Sequence, residues 1–334
     1  MSKPKALFIL HKPACATIYG LGARERLEEI LDVLAPPMQT EEALLHPELL
    51  AETEVILSGW GAPQLTAEVL ALMPRLKVVF YGAGSIRALM TTEAWDRGIR
   101  VTSSYAANAI PVADFTLAQI ILCLKSAYAY ARAVKELRHY PERNSIPLAG
   151  TYRSTIGLVS MGMIGRMVVQ RLSMLDVNIV AYDPFVSAEE AAELGVEMVS
   201  LEEVFQRADV VSLHTPWLKE TERMVNGKLL RSMKHGAAFI NTSRGAVVHE
   251  AEMIEVLQQR PDIQVVLDVT YPEPPVKGSP FYTLPNVVLT PHIAGSMRLE
   301  CARMGASVLA DVEHYLAGKP LQWEISRERA AIMA

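Results

Sequence analysis

Cysteine is scarce in this chain. Cys15, Cys123 and Cys301 are scattered and odd in number, with no CxxC pair and no Cys/His cluster at metal-ligand spacing. That excludes a disulfide framework and a structural zinc site, and points to reduced thiols in a cytoplasmic protein. Charge of one sign is also scarce: 32 Lys and Arg against 37 Asp and Glu leave a net charge of −5. Nothing in that balance draws the chain to nucleic acid or to an anionic membrane. Long hydrophobic runs are missing as well. The opening stretch MSKPKALFILHKPA carries five apolar residues after two lysines, too few for a signal-peptide core. The most apolar segment, IPVADFTLAQIILCLKSAYAYA (110–131), is interrupted by Asp114, Gln119 and Lys125. It is expected to fall short of the roughly 20 apolar residues that a membrane span needs and to form one long helix, from about 109 to 138, buried against protein.

What is present is an alternation of short β-branched runs with amphipathic stretches. ALFIL (6–10), VILSG (55–59) and KVVFYG (77–82) form a first group of strand candidates. TIGLVS (155–160), NIVAYD (178–183), DVVSLH (209–214), AAFINTS (237–243), QVVLDV (264–269) and NVVLTPH (286–292) form a second. Continuous apolar strands separated by helices indicate parallel sheets covered on both faces. At 334 residues the chain is too long for one ordinary core. The expected fold class is α/β, with two Rossmann-like domains. Residues 109–298 would form a six-stranded, doubly wound dinucleotide-binding domain. Residues 1–108 plus 299–334 would form a smaller, flavodoxin-like substrate domain. The long helix crosses from the one to the other, and hinges are expected near 106–110 and 294–299.

The segment IGLVSMGMIG (156–165) approximates the Gly-x-Gly-x-x-Gly phosphate turn, with Ser160 in place of the first glycine. Gly162 would let the backbone approach a pyrophosphate and Gly165 would let the helix pack on the strand, with the anion on the helix N-terminus. Asp183 lies 18 residues beyond Gly165, close to the spacing of the carboxylate that takes the adenosine ribose. No Lys or Arg follows it in DPFVSAEE, which favours NAD(H) over NADP(H). A ligand-free glycine turn, with Asp183 as a turn residue before proline, is the alternative. The first glycine supplies a tight turn, which serine can also supply if its φ stays negative. On that expectation Ser160 leaves NAD binding intact and adds at most a hydroxyl beside the cofactor.

Four loops follow predicted strands of the second group and converge on one sheet edge: LHTPWLKET, INTSRGAVV, LDVTYPEPP and LTPHIAGS. They carry Arg244, Glu273 and His292. An arginine holds a carboxylate with two hydrogen bonds, and a histidine beside a carboxylate transfers a proton near neutral pH. Beside a nicotinamide, these parts suit reversible reduction of a 2-keto acid.

On these motifs the sequence resembles the D-isomer-specific 2-hydroxy-acid dehydrogenase family from about residue 55 to 317. Glu273 and His292 follow Arg244 by 29 and 48 residues, much as in that family. The resemblance implies that Arg244 binds the substrate carboxylate and carbonyl, that His292 is the general acid and that Glu273 is its partner. For the cofactor it implies Asp268 and Gly295 near the nicotinamide, Thr242 at its ribose, and His214, Thr215 and Pro216 on the adenine side. Thr116, Ser160, Met163 and Ile164 complete the implied set. In VVFYGAGSIRAL (78–89), backbone N–H groups around Ala83 and Gly84 would take the substrate carboxylate. No metal is implied.

The chain also departs from the family. Ser85, Ile86, Arg87 and Ala88 replace a common Asp-Asn-Ile-Asp, Asp114 replaces a usual glutamate and His249 a usual aspartate. Trp60 stands about where phosphoglycerate-specific members carry arginine, so a small unphosphorylated acid such as glyoxylate or hydroxypyruvate is expected. Arg87 leaves the phosphorylated substrate open. Bland readings are Trp60 as a core or hinge residue and Arg87 as a solvated charge. Rival readings are D-3-phosphoglycerate dehydrogenase and, from another class, an NAD-sensing corepressor-like regulator. Formate-type relatives carry a small non-glycine residue at the position of Ser160, but they replace the glutamate with glutamine, which Glu273 argues against. The resemblance further implies a homodimer through the 110–138 region.

Overall fold

The structure is a computed structural model and describes residues 3–333. The chain divides into two compact units, Met1–Ala109 with Ser296–Ala334, and Ile110–Gly295.

The first unit holds five strands: β1 (Lys5–Ile9), β2 (Asp32–Val33), β3 (Val55–Ser58), β4 (Val78–Tyr81) and β5 (Arg100–Ser103). All pair in parallel in the order β2-β1-β3-β4-β5, the flavodoxin-like doubly wound arrangement. Alternate side chains along each strand enter different cores. Leu7, Ile9, Ile56 and Val79 pack on one face, and Ala6, Phe8, Leu57, Val78 and Phe80 on the other. That double burial is why these strands read as unbroken apolar runs. β2 and β5 were not foreseen, because DV is two residues long and RVTS has one apolar residue in four.

The second unit holds β6 (Tyr152–Val159), β7 (Asp176–Tyr182), β8 (Val196–Met198), β9 (Val210–Leu213), β10 (Ala238–Asn241), β11 (Gln264–Leu267) and β12 (Val287–Leu289). The order β12-β11-β10-β9-β6-β7-β8 is parallel throughout. Seven strands replace the six expected; β8 is three residues with Glu197 at its centre and carries no apolar run. The strand order reverses between β6 and β9. The loops after these two strands therefore flank the crevice where open α/β sheets bind ligands.

The single helix expected over 109–138 is two helices, Tyr105–Leu124 and Ala127–Leu137. Ser126 breaks it with φ 45°, its hydroxyl bonded to the Pro147 carbonyl at 2.5 Å. Serine's capacity to bond nearby backbone competes with helix continuation. The helix Tyr105–Leu124 is long and apolar enough to cross a membrane, by length and composition, contrary to the expectation from its polar residues. Its apolarity has an internal use. Ala113, Ile120, Cys123 and Leu124 are buried with Ile156, Leu158 and Val210 in one core cluster under the second sheet.

Candidate active site

The turn after β6 is built around Ser160. Its φ is 80°, which overturns the expectation of a negative value: the first-glycine position imposes the left-handed region whichever residue fills it. For serine this costs about 1 kcal/mol. Local bonds offset that strain. The Ser160 amide donates to the Tyr182 carbonyl at 2.8 Å, and its hydroxyl lies 2.9 Å from Thr215 Oγ1 in the loop after β9. The next amide, Met161 N–H, donates to Asp183 Oδ2 at 2.7 Å, and Phe185 N–H donates to Oδ1 at 2.8 Å. A carboxylate has about four acceptor sites, so Asp183 can shape this turn and still accept further hydroxyl donors.

Gly162 caps the helix Met163–Leu172, in which Met163 and Ile164 form the first turn. Among the described residues, no atom beyond Gly162's own chain neighbours lies within 4 Å of where its Cβ would stand, so the approach to the helix N-terminus is clear. Gly165 is the reverse case: its Cβ would meet the Ser160 carbonyl oxygen at 2.4 Å. Close helix-to-turn packing is what keeps that glycine.

After β9, His214 is buried, with Nε2 3.1 Å from the Ser212 hydroxyl and Nδ1 without a hydrogen-bond partner among the described residues. Burial pushes its pKa down to about 4, so the ring is neutral. Thr215 can donate to the Val159 carbonyl at 3.3 Å, and the Pro216 carbonyl accepts from Thr221 Oγ1 at 2.6 Å. Thr116 and Thr242, 126 positions apart, are both buried with hydroxyls 3.0 Å apart. They join the long apolar helix to the loop after β10.

The acid–base pair sits at the ends of β11 and β12. His292 Nδ1 lies 2.7 Å from Glu273 Oε1, both side chains about half exposed. The histidine backbone is left-handed, φ 54°, and its N–H reaches the carbonyls of Asp268 (2.9 Å) and Thr290 (3.0 Å). Asp268, only 1% exposed, organises this loop. Its Oδ1 accepts from Thr290 Oγ1 (2.6 Å) and Ile293 N–H (2.9 Å), and its Oδ2 from Ala294 N–H (2.9 Å), beside Gly295.

Arg244 follows β10 in extended backbone conformation, with Nη1 donating to the Ser243 carbonyl at 2.7 Å. Its loop is fixed by Asn241, whose Oδ1 accepts from Ser243 N–H and whose Nδ2 donates to the Arg244 carbonyl. A Cβ on Gly245 would stand 2.0 Å from the Thr270 carbonyl carbon, so the arginine loop and the Glu273 loop touch backbone to backbone. Glu250, pushed up by burial, accepts from Tyr271 N–H at 3.2 Å and steadies the same loop. The two milder departures have local roles: Asp114 pairs with Arg171 at 2.6 Å, and His249 Nδ1 caps the helix Glu250–Gln259.

In the first unit, Trp60 is 39% exposed and its carbonyl accepts from His11 N–H. Ala83 is fully buried, and the carbonyls of Ala83 and Gly84 face the Ser103 hydroxyl at 3.0 and 2.5 Å. Arg87 is exposed, and its Nε and Nη2 donate to the Met333 carbonyl at 3.1 and 2.9 Å. Sequence reasoning missed Ser103, Asn241, Gly245 and Thr290. Gly245 alone carried a signal, a glycine directly after the arginine of a strand-end loop.

Residues 117–294 match the family model described as D-isomer specific 2-hydroxyacid dehydrogenase, NAD binding domain. The chain is 33% identical over 259 residues to a D-3-phosphoglycerate dehydrogenase of Mycobacterium tuberculosis, covering 78% of this chain and 48% of that one. It is 32% identical over 257 residues to a glyoxylate reductase of Korarchaeum cryptofilum, covering 76% and 77%. The chain thus spans about half the length of the phosphoglycerate dehydrogenases it matches. Among solved structures it is similar to a D-lactate dehydrogenase from Aquifex aeolicus complexed with NAD and lactic acid. That match has TM-score 0.73 and 26% identity, and covers 94% of this chain and 96% of that one. It is also similar to a phosphoglycerate oxidoreductase from Rhizobium etli, with TM-score 0.77, 25% identity, and coverage of 97% and 99%.

Proposed function

The chain belongs to the D-isomer specific 2-hydroxyacid dehydrogenase family, and from that premise we propose that it reduces a small unphosphorylated 2-keto acid, of glyoxylate or hydroxypyruvate type, to the D-2-hydroxy acid. The observation that carries this reading is the 2.7 Å pair of His292 Nδ1 and Glu273 Oε1. With Nδ1–H donated to the carboxylate, the ring presents Nε2 as the proton donor to the substrate oxygen. Arg244 holds the substrate carboxylate and carbonyl as a two-pronged donor. In the first unit, the amides around Ala83 and Gly84 are read as carboxylate donors. Asp268 holds the backbone of residues 292–294 in place while the proton moves. Glu273 keeps the imidazole oriented and stabilises its protonated form.

The second unit fits NAD(H): the space over Gly162 is clear, and buried His214 keeps one bare ring nitrogen. Bound NADH supplies the hydride. We assign the pyrophosphate to the turn Ser160–Gly165, the adenosine ribose to Asp183, and the nicotinamide side to Thr116, Thr242, Asp268 and Gly295. His214, Thr215 and Pro216 take the adenine side. NADH is preferred over NADPH, because Asp183 presents a carboxylate and the nearby Arg166 is paired with Glu190 at 2.7 Å. Neither leaves a cation for a 2′-phosphate.

One feature disfavours a phosphorylated substrate: Trp60 brings no positive charge where an arginine would. The relatives named D-3-phosphoglycerate dehydrogenase keep that substrate as the second reading. We further read the enzyme as cytoplasmic and homodimeric. The helix Ala127–Leu137 has no buried residue, and its last residue, Leu137, is half exposed, which suits a helix covered by a second copy. Sedimentation as a monomer at micromolar concentration overturns the dimer.

The deciding experiment is NADH consumption over glyoxylate, hydroxypyruvate, pyruvate, phenylpyruvate and 3-phosphohydroxypyruvate, repeated with NADPH. Turnover of one of the first two at the highest kcat/KM is expected. The phosphorylated acid as best substrate overturns the substrate class. NADH binding without turnover of any acid favours the regulatory, corepressor-like reading.

A further inference from the structure

We propose that the segment 321–333 shapes the substrate-carboxylate loop 82–90, with Ser103 and Arg87 as positioning residues; this rests on the reading of Ala83 and Gly84 given above. The segment is turned back by a buried carboxylate. Asp311, on the helix Ala302–Leu316, accepts from Gln322 N–H at 2.6 Å and Trp323 N–H at 3.3 Å. Residues 323–325 then run antiparallel along β5, the edge of the first sheet. Ser103 N–H donates to the Trp323 carbonyl (3.1 Å), and Ile325 N–H donates to that of Val101 (3.0 Å). Arg100 clamps Glu324 with two bonds of 2.7 Å.

Two routes lead from this segment to the loop. Ser103, whose backbone is fixed by Trp323, turns its buried hydroxyl onto the carbonyls of Ala83 and Gly84. In a trans peptide the C=O of one residue and the N–H of the next point in opposite directions. Holding those two carbonyls at Ser103 therefore turns the amides of Gly84 and Ser85 away from it, as a pair of donors on the other side of the loop. The second route is Arg87, which grips the Met333 carbonyl with Nε and Nη2. Between these handles Ile86, Leu89 and Met90 are buried in the same cluster against which Ala330 and Met333 pack. The loop is thus held at both ends by one segment of chain more than 200 residues away.

The test compares Ser103→Ala and Arg87→Ala with the parent. Carboxylate binding is shared by ground and transition states, so its loss raises KM and leaves kcat nearly unchanged. We expect KM for the keto acid to rise about tenfold in Ser103→Ala and about threefold in Arg87→Ala, with kcat and NADH affinity within twofold of the parent. Amide hydrogen exchange in 83–90 should quicken in both. Ser103→Thr, which keeps the hydroxyl, should recover most of the Ser103→Ala loss. Parent-like KM together with parent-like exchange in 83–90 overturns the proposal. If Ser103→Ala does not fold, the exposed Arg87→Ala decides alone. A parent that reduces no 2-keto acid refutes the functional reading instead, and the exchange measurement still judges the loop.

Discussion

His214 makes stability depend on acid in a defined direction. Burial lowers its pKa from 6.5 to about 4 in the folded chain. Between those values the unfolded chain binds a proton that the folded chain refuses, so stability falls as pH falls from about 6.5 to 4 and the full loss is present below 4. A shift of this size corresponds to roughly 3 kcal/mol, and to about 2 to 3 kcal/mol by pH 4.5. His214→Gln removes the titrating group while keeping a polar partner for Ser212. Urea unfolding of parent and variant, followed by circular dichroism at pH 7.5, 6, 5 and 4.5, isolates the contribution. At pH 7.5 the parent is the more stable protein, because the glutamine is a poorer fit. By pH 4.5 that difference should shrink or reverse by about 2 kcal/mol. Parallel stability curves across the whole range refute the reasoning. The same neutral ring brings no positive charge to the loop after β9.

Asp268→Asn replaces one acceptor oxygen by a donor facing backbone N–H groups, so the melting temperature should fall with a loss of about 2 kcal/mol. kcat/KM should fall at least 30-fold as the His292 loop shifts; parent-like kcat/KM refutes the positioning role. Glu273→Gln keeps a hydrogen bond to His292 and removes the charge. kcat should drop about tenfold or more with NADH affinity unchanged by fluorescence titration. Ser160→Gly relieves the left-handed strain and loses the Thr215 partner, two effects of about 1 kcal/mol that oppose each other. Stability and NADH affinity should stay within a few fold of the parent, and a tenfold change in affinity sinks that reading. All three thiols are buried, and burial pushes Cys123 up to about 12. The folded protein should leave Ellman's reagent unreacted for minutes, and the urea-unfolded chain should release three equivalents.

The parts of the fold legible in sequence were those that bury both faces. β1, β3 and β4 and six strands of the second sheet announce themselves because alternate residues fill two cores at once. β2, β5 and β8 sit at or next to sheet edges and are short or polar, so no run of apolar residues marks them. The break at Ser126 was hidden because a serine in the left-handed region depends on a carbonyl 21 residues away. In the candidate site, Arg244, Glu273 and His292 stand out in the sequence because each lies in a dense motif that follows a strand. Their supports do not. Thr290 acts through Asp268, and in the first unit Ser103 acts on the carbonyls of Ala83 and Gly84, so neither forms a pattern along the chain. Ser160 was legible as an anomaly only. Its sign of φ belongs to the turn and not to the residue.

The contact of Gly245 with Thr270 has an evolutionary consequence. The closest approach of the two loops is main chain on main chain, braced by the Asn241 and Glu250 side chains, so outward-facing side chains can drift without changing it. The spacer is bare main chain against main chain, so substitutions elsewhere on these loops can retune which acid is accepted while the spacing of the reacting groups stays constant. The glycine itself is closed to change. Adding a single methyl there would move the two loops apart together with the groups they carry.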